Sequence, residues 1–272
     1  MAIILEGGCR VTEMREGAAR ESGRLRVWPQ IGRSAGAQAI SLRVLEFAPG
    51  VSGGLCNETC DEILYLLGAR WDRHSVGKDQ VADSDPIVNI FIDGWRYEVE
   101  PDSGIYLRPG QTLTVDNPGV EPLLMISSQC PEPLADSFKT TAPVTAPIST
   151  SIPPQRSPVV RLADRPALPT ADRWYRVLVD DAVGSTQVTQ FVGSIPPGRA
   201  PDHFHSYEEV LLILRGQGRL WAAETHTPVA AGACVYLPKG QVHCVENTGT
   251  DELRLLGVFY PAGSPSVRYE VD

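Results

Sequence analysis

His203 and His205 stand two residues apart, Glu209 follows four residues later, and His243 lies in a separate downstream segment. The chain holds only five histidines, so this grouping claims most of them. In an extended strand, residues i and i+2 point to one face, so the first two imidazoles can address a single point. A turn at Ser206-Tyr207 returns the Glu209 carboxylate toward them, at the head of the apolar run 210–214, which reads as a buried strand. His243 follows the turn-forming Pro238-Lys239-Gly240, so a second hairpin can bring it to the same place. Three nitrogens and one oxygen suit a divalent transition metal and leave one or two positions open on an octahedral ion. Open positions are where a substrate or dioxygen binds.

The elements that must position these donors carry their own punctuation. The first segment reads Gly198, four residues, His203-x-His205, three residues, Glu209, six residues, Gly216. The second reads Gly232, five residues, Pro238-x-Gly240, two residues, His243, three residues, Asn247. The pair resembles the two motifs of the cupin superfamily, with one departure: four residues rather than five separate Gly198 from His203. The resemblance implies a small antiparallel jelly-roll barrel holding one metal ion through His203, His205, Glu209 and His243. Iron or manganese is favoured, and nickel, zinc or copper also suits such donors.

The first half repeats the pattern without the chemistry. Residues 105–119 set beneath 235–249 match at tyrosine, leucine, glycine, glutamine, valine, asparagine and glycine, but Leu113 stands where His243 stands. Aligning Glu62 with Glu209 places Cys56 and Glu58 at the positions of His203 and His205. An internal duplication follows, so the chain resembles a bicupin whose first barrel has lost at least three of the four usual ligands. Cys56, Glu58, Cys60 and Glu62 have no histidine to join them, and a metal-free first barrel is expected, serving as support, dimerisation surface or cavity wall.

A chain of 272 residues suits two domains. Its 25 glycines and 23 prolines between short apolar runs indicate an all-β fold of two cupin-type barrels. The expected division is a degenerate barrel over 1–130, a proline-rich connector over 131–172 and a metal-binding barrel over 173–272. A net charge of -9 and the lack of any basic run argue against nucleic acid. No segment is apolar for long enough to cross a membrane, and the N-terminus lacks the pattern of a signal peptide. The expectation is a cytoplasmic protein with a small-molecule substrate, with homodimer formation left open. The six cysteines show no framework spacing and are expected as free thiols, Cys244 turning away from the ligand face. The polar stretch 70–86 reads as an inserted surface loop carrying His74, and His226 belongs to a hairpin turn.

The resemblance spans many chemistries, so the expected activity is argued from the donors. The first expectation is a mononuclear non-haem dioxygenase acting on a small organic molecule, with Glu209 as ligand or base and Tyr207 as a second catalytic candidate. The alternative is a redox-neutral isomerase, lyase or cyclase, for which Tyr207, Tyr236 and Lys239 are proton-transfer candidates. A non-catalytic binding protein ranks last. The cavity wall is expected from Phe204, Val210, Leu212, Leu214, Trp221, Val235 and Leu237, with Arg219 or Trp221 reaching inward. Such a wall favours a hydrophobic or aromatic substrate over a phosphosugar.

Overall fold

In a computed structural model, the described residues are 1–69, 71, 87–134, 140–147, 154–267 and the backbone of 269–270. The loop expected over 70–86, with His74, falls almost wholly outside them. The chain folds as two β-barrels, each made of two facing antiparallel sheets. In the first barrel, one sheet runs in the order Val159–Arg161, Ser103–Leu107, Asp61–Gly68, Leu123–Cys130, Leu42–Phe47, Leu25–Ile31, Arg20–Ser22. Its facing sheet is built around Val88–Ile92, Thr112–Asn117 and Gly54–Cys56. The second barrel repeats this with Ala233–Leu237, Glu208–Arg215, Leu253–Tyr260, Thr189–Ile195 and Arg173–Val179 in one sheet. Gln217–Ala222, His243–Asn247 and His203–Phe204 lie in the other.

Two segments cross the division expected from sequence. The strand Arg10–Glu13 pairs with Ala233–Leu237 of the second barrel, placing Val11 opposite Val235. The strand Val159–Arg161 pairs with Ser103–Leu107 of the first barrel, placing Val160 opposite Gly104. Each barrel is thus completed by the strand that precedes the other, a reciprocal exchange that covers a sheet edge in both. Burial explains the placement: Cys9 and Val11 enter the apolar interior of the second barrel.

Three apolar clusters hold the molecule. One fills each barrel, and a third lies between them, joining Val44, Ile63 and Tyr65 of the first to Val192, Val210 and Leu256 of the second. The strand Glu208–Arg215 serves two of these at once: Leu211 and Ile213 point into its barrel, while Val210, Leu212 and Leu214 point to the other barrel. Both faces are buried, so the run reads as continuously apolar, and each buried leucine contributes about 1.5–3 kcal/mol. The junction also has a polar pin. The Glu208 carboxylate accepts hydrogen bonds from the backbone N–H groups of Gln38 and Ala39, both at 2.7 Å, and from the Tyr236 hydroxyl at 2.5 Å. In the first barrel the Tyr106 hydroxyl donates to Asp61 (2.9 Å), which explains why both halves keep the tyrosine. The repeated asparagine has the same kind of reason. Asn247 donates to the carbonyls of Ile195 and Asp251 and accepts from Gly249 N–H, and Asn117 makes the matching set with Phe47, Glu121 and Gly119.

Candidate metal centre

The donors meet inside the second barrel. His203 pairs with His243 across neighbouring strands. The chain leaves the short strand His203–Phe204, bends at Ser206 and Tyr207, and re-enters as Glu208–Arg215, with Glu209 opposite Leu237. The turn before His243 is tied to this bend, because Gly240 N–H donates to the His205 carbonyl at 2.8 Å. Gly240 has φ +77°, a left-handed conformation that favours glycine. Ring centroids lie 5.0 Å apart for His203 and His205, 4.6 Å for His203 and His243, and 5.4 Å for His205 and His243.

Three of the four expected donors form one group that could hold a metal ion. One nitrogen from each of His203, His205 and His243 falls within 4.8 Å of the others. Glu209 Oε2 lies 3.6 Å from His205 Nε2 and 3.8 Å from His243 Nε2. These gaps are too wide for hydrogen bonds and fall between the adjacent and opposite ligand separations of an ion with bonds of about 2.0–2.2 Å. Two of the outer nitrogens are spoken for: His203 Nδ1 lies 3.0 Å from the Pro201 carbonyl and His243 Nδ1 lies 2.8 Å from the Gln241 carbonyl. With Nδ1 donating, each Nε2 carries its lone pair inward, the usual arrangement of a histidine ligand held by a backbone carbonyl.

Burial sets the charge state. Glu209 is 5 % exposed, and desolvation pushes its carboxyl up to about 8. Desolvation, with His203 nearby, pushes His243 down to about 3, so its ring is neutral and able to bind a metal. A cation beside Glu209 would favour the ionised carboxylate, opposing the desolvation.

The cavity in front of these donors has a volume of about 90 Å³. That exceeds by several-fold the roughly 10–15 Å³ that one water needs. Its walls are Tyr175, Phe191, Leu211, Leu237, Leu255 and Phe259. Of the wall expected from sequence, Leu237 is there, but Val210, Leu212 and Leu214 face the other barrel. The reason is parity. Glu209 points inward, so only odd-numbered neighbours on its strand can follow it. Trp221 and Arg219 also lie outside the cavity: Trp221 Nε1 donates to Glu246 (2.9 Å) beneath the Arg199 guanidinium, and Arg219 pairs with Glu246. Cys244 is buried and accepts from Arg199 Nε at 3.3 Å, away from the ligands.

The other candidates are placed as follows. Tyr207 does not line the cavity; its ring stacks on His205 (centroids 5.0 Å apart, planes 11°) and its hydroxyl donates to the Ser264 carbonyl at 3.0 Å. Tyr236 faces the junction through its bond to Glu208, while Lys239 and His226 are exposed. Sequence reasoning missed Arg173, the one arginine or lysine among the described residues that line the cavity. Its signal was parity with Tyr175, readable only once the strand Arg173–Val179 is placed.

In the first barrel the same position is closed by an internal ion pair. Glu62 pairs with Gln129 and Glu209 with Phe259; Arg43 pairs with Ser127 and Phe191 with Gly257. Arg43 therefore occupies the site of Phe191, and its Nη2 donates to Glu62 (2.5 Å) and to Ser127 Oγ (2.8 Å). Ser127 and Gln129 also donate to Glu62, at 2.7 and 3.2 Å. A guanidinium stands where a metal cation would balance the carboxylate, and Leu113 is fully buried in the barrel core.

Comparison with known proteins agrees with this geometry. Residues 191–259 match the family model described as Cupin domain. Auxin-binding protein 1 of Arabidopsis thaliana is 35% identical over 83 residues, spanning 27% of this chain and 42% of that protein. A mutant of Bacillus subtilis oxalate decarboxylase superposes with TM-score 0.70 at 13% identity, covering 93% of this chain and 78% of that one. Protein Ylba from E. coli superposes with TM-score 0.68 at 11% identity, covering 95% and 93%. At such identities the structural matches establish a shared fold.

Proposed function

We propose that this chain, a two-barrel member of the cupin superfamily, is a metal-dependent enzyme acting on a small organic molecule, and that its reaction is a dioxygenation. The observation that carries the reading is the convergence of three imidazoles, with one carboxylate beside two of them, on a partly open, largely apolar cavity. His203, His205, Glu209 and His243 would hold the ion. A bound iron or manganese ion supplies Lewis acidity and one-electron redox chemistry.

The chain's own residues do the rest. Phe191, Leu211 and Phe259 keep bulk water from the donors, which strengthens each charge interaction there. The carbonyls of Pro201 and Gln241 fix the rings of His203 and His243, and Tyr207 and Phe259 pack against His205. Glu209 is the one carboxylate among the described residues of the cavity lining, so proton transfer from an acidic substrate group is assigned to it. That same buried carboxyl favours a second reading, a redox-neutral isomerase, lyase or cyclase, which needs a proton carrier and no oxidant. Oxygen consumption separates the two. Dioxygen uptake by the metal-loaded protein, stimulated by enolic or aromatic compounds, is expected; turnover of such compounds with no uptake overturns the dioxygenase reading in favour of the second.

A further inference from the structure

We propose that Arg173 selects the substrate, by holding a carboxylate group of a small apolar or aromatic acid while its reacting end faces His203, His205 and His243. This inference rests on the metal-centre reading above.

Arg173 lines the same cavity as the donors and, among the described residues, is the one arginine or lysine that does. Its side chain is only 12% exposed. Among the described residues its one side-chain hydrogen bond is Nε to Asp172 Oδ1 at 2.8 Å. Asp172 is its neighbour in sequence, with a side chain 63% exposed, so it is a weak counter-charge for a guanidinium so far withdrawn from water. With Nε engaged, the terminal Nη nitrogens remain to bind a planar two-oxygen group, the geometry a carboxylate offers.

Charge points the same way. With a divalent ion bound, its charge and that of Arg173 face one carboxylate among the described lining residues, Glu209, within apolar walls. The cavity is then net positive and draws in an anion. The anion is a carboxylate rather than a phosphate, because the mostly apolar walls would leave the second charge and further oxygens of a phosphate dianion without partners. The aromatic and aliphatic walls accept the body of the acid.

The test compares benzoate with its uncharged isostere benzamide by isothermal titration calorimetry. Acetate, pyruvate and phenylacetate extend the series, and the metal-loaded protein is set beside Arg173→Gln and Arg173→Lys. Elemental analysis of each sample shows separately whether the metal site is intact. The expected result is that at least one carboxylate binds about tenfold or more tighter than the benzamide control. Arg173→Gln should abolish that preference and Arg173→Lys restore it only in part, with metal content unchanged. The preference should also survive, at weaker affinity, in chelated protein. Three results overturn the assignment: no carboxylate binding at millimolar concentration, equal carboxylate affinity in Arg173→Gln, or a preference that disappears with the metal and ignores Arg173. Wild-type protein that binds no metal refutes the underlying reading instead, whatever the carboxylates do.

Discussion

Replacing Glu209 by glutamine isolates what a buried, unpaired carboxyl costs this fold. In the metal-free protein the Glu209 carboxyl is pushed from 4.5 up to about 8 by burial. Below about pH 4.5 it is protonated in folded and unfolded chains alike, and its ionisation costs nothing. Between about pH 4.5 and pH 8 the unfolded chain releases the proton and the folded one keeps it, so stability falls as pH rises; above about pH 8 the loss is complete. At about 1.4 kcal/mol per pKa unit, the penalty is about 1 kcal/mol at pH 5 and about 4 kcal/mol at pH 8. Glu209→Gln preserves the shape and removes the titration. Urea unfolding of chelated protein should therefore show wild type losing about 3 kcal/mol more than the variant between pH 5 and pH 8. Adding the metal should recover that loss in wild type and much less of it in Glu209→Gln, because the cation replaces the proton on the carboxyl. Parallel stability–pH curves for the two chelated proteins would refute the reasoning, since they would mean that Glu209 ionises in the fold without penalty.

Arg43→Met should cost about 3–5 kcal/mol in chemical denaturation, because it strands the buried Glu62 carboxylate that its Nη2 now pairs; a loss below 1 kcal/mol would show that Ser127 and Gln129 suffice. Leu113→His should leave the number of bound ions unchanged by elemental analysis, because the strand register places Leu55 and Asn57, rather than the Cys56 and Glu58 expected from sequence, where His203 and His205 stand, and Arg43 occupies the pocket beside Glu62. Gly257→Ala should destabilise the second barrel by about 1–3 kcal/mol, since the new Cβ would lie 2.3 Å from the Phe191 ring; unfolding midpoints equal to wild type would contradict that packing.

The grouping of His203, His205 and His243 was legible because it rests on local rules: period-two alternation, a turn at Ser206-Tyr207, and a Pro-Lys-Gly turn before His243. The duplication was legible through Tyr106 and Tyr236 and through Asn117 and Asn247, whose shared roles at the junction and in the turns keep them alike. The cavity wall was misread because the strand Glu208–Arg215 is buried on both faces, so hydrophobicity alone cannot say which side faces the ligands. Parity counted from Glu209 would have corrected it. Arg173 and Arg43 carry no motif; each gains meaning from a partner brought close by strand order, Arg43 from Glu62 and Arg173 from the histidines. The exchanged strands Arg10–Glu13 and Val159–Arg161 are four and three residues long, too short to show alternation or to declare which barrel they join.

The central claim is one metal ion, held in the second barrel by four named side chains. It is tested most directly by elemental analysis of protein purified without an affinity metal, comparing wild type with His203→Ala, His205→Ala, His243→Ala and Arg43→Ala. About one transition-metal ion per wild-type chain, lost or sharply reduced in each histidine variant and unchanged in Arg43→Ala, is the predicted result. Equal metal content in all three histidine variants, or two ions per wild-type chain, would contradict it.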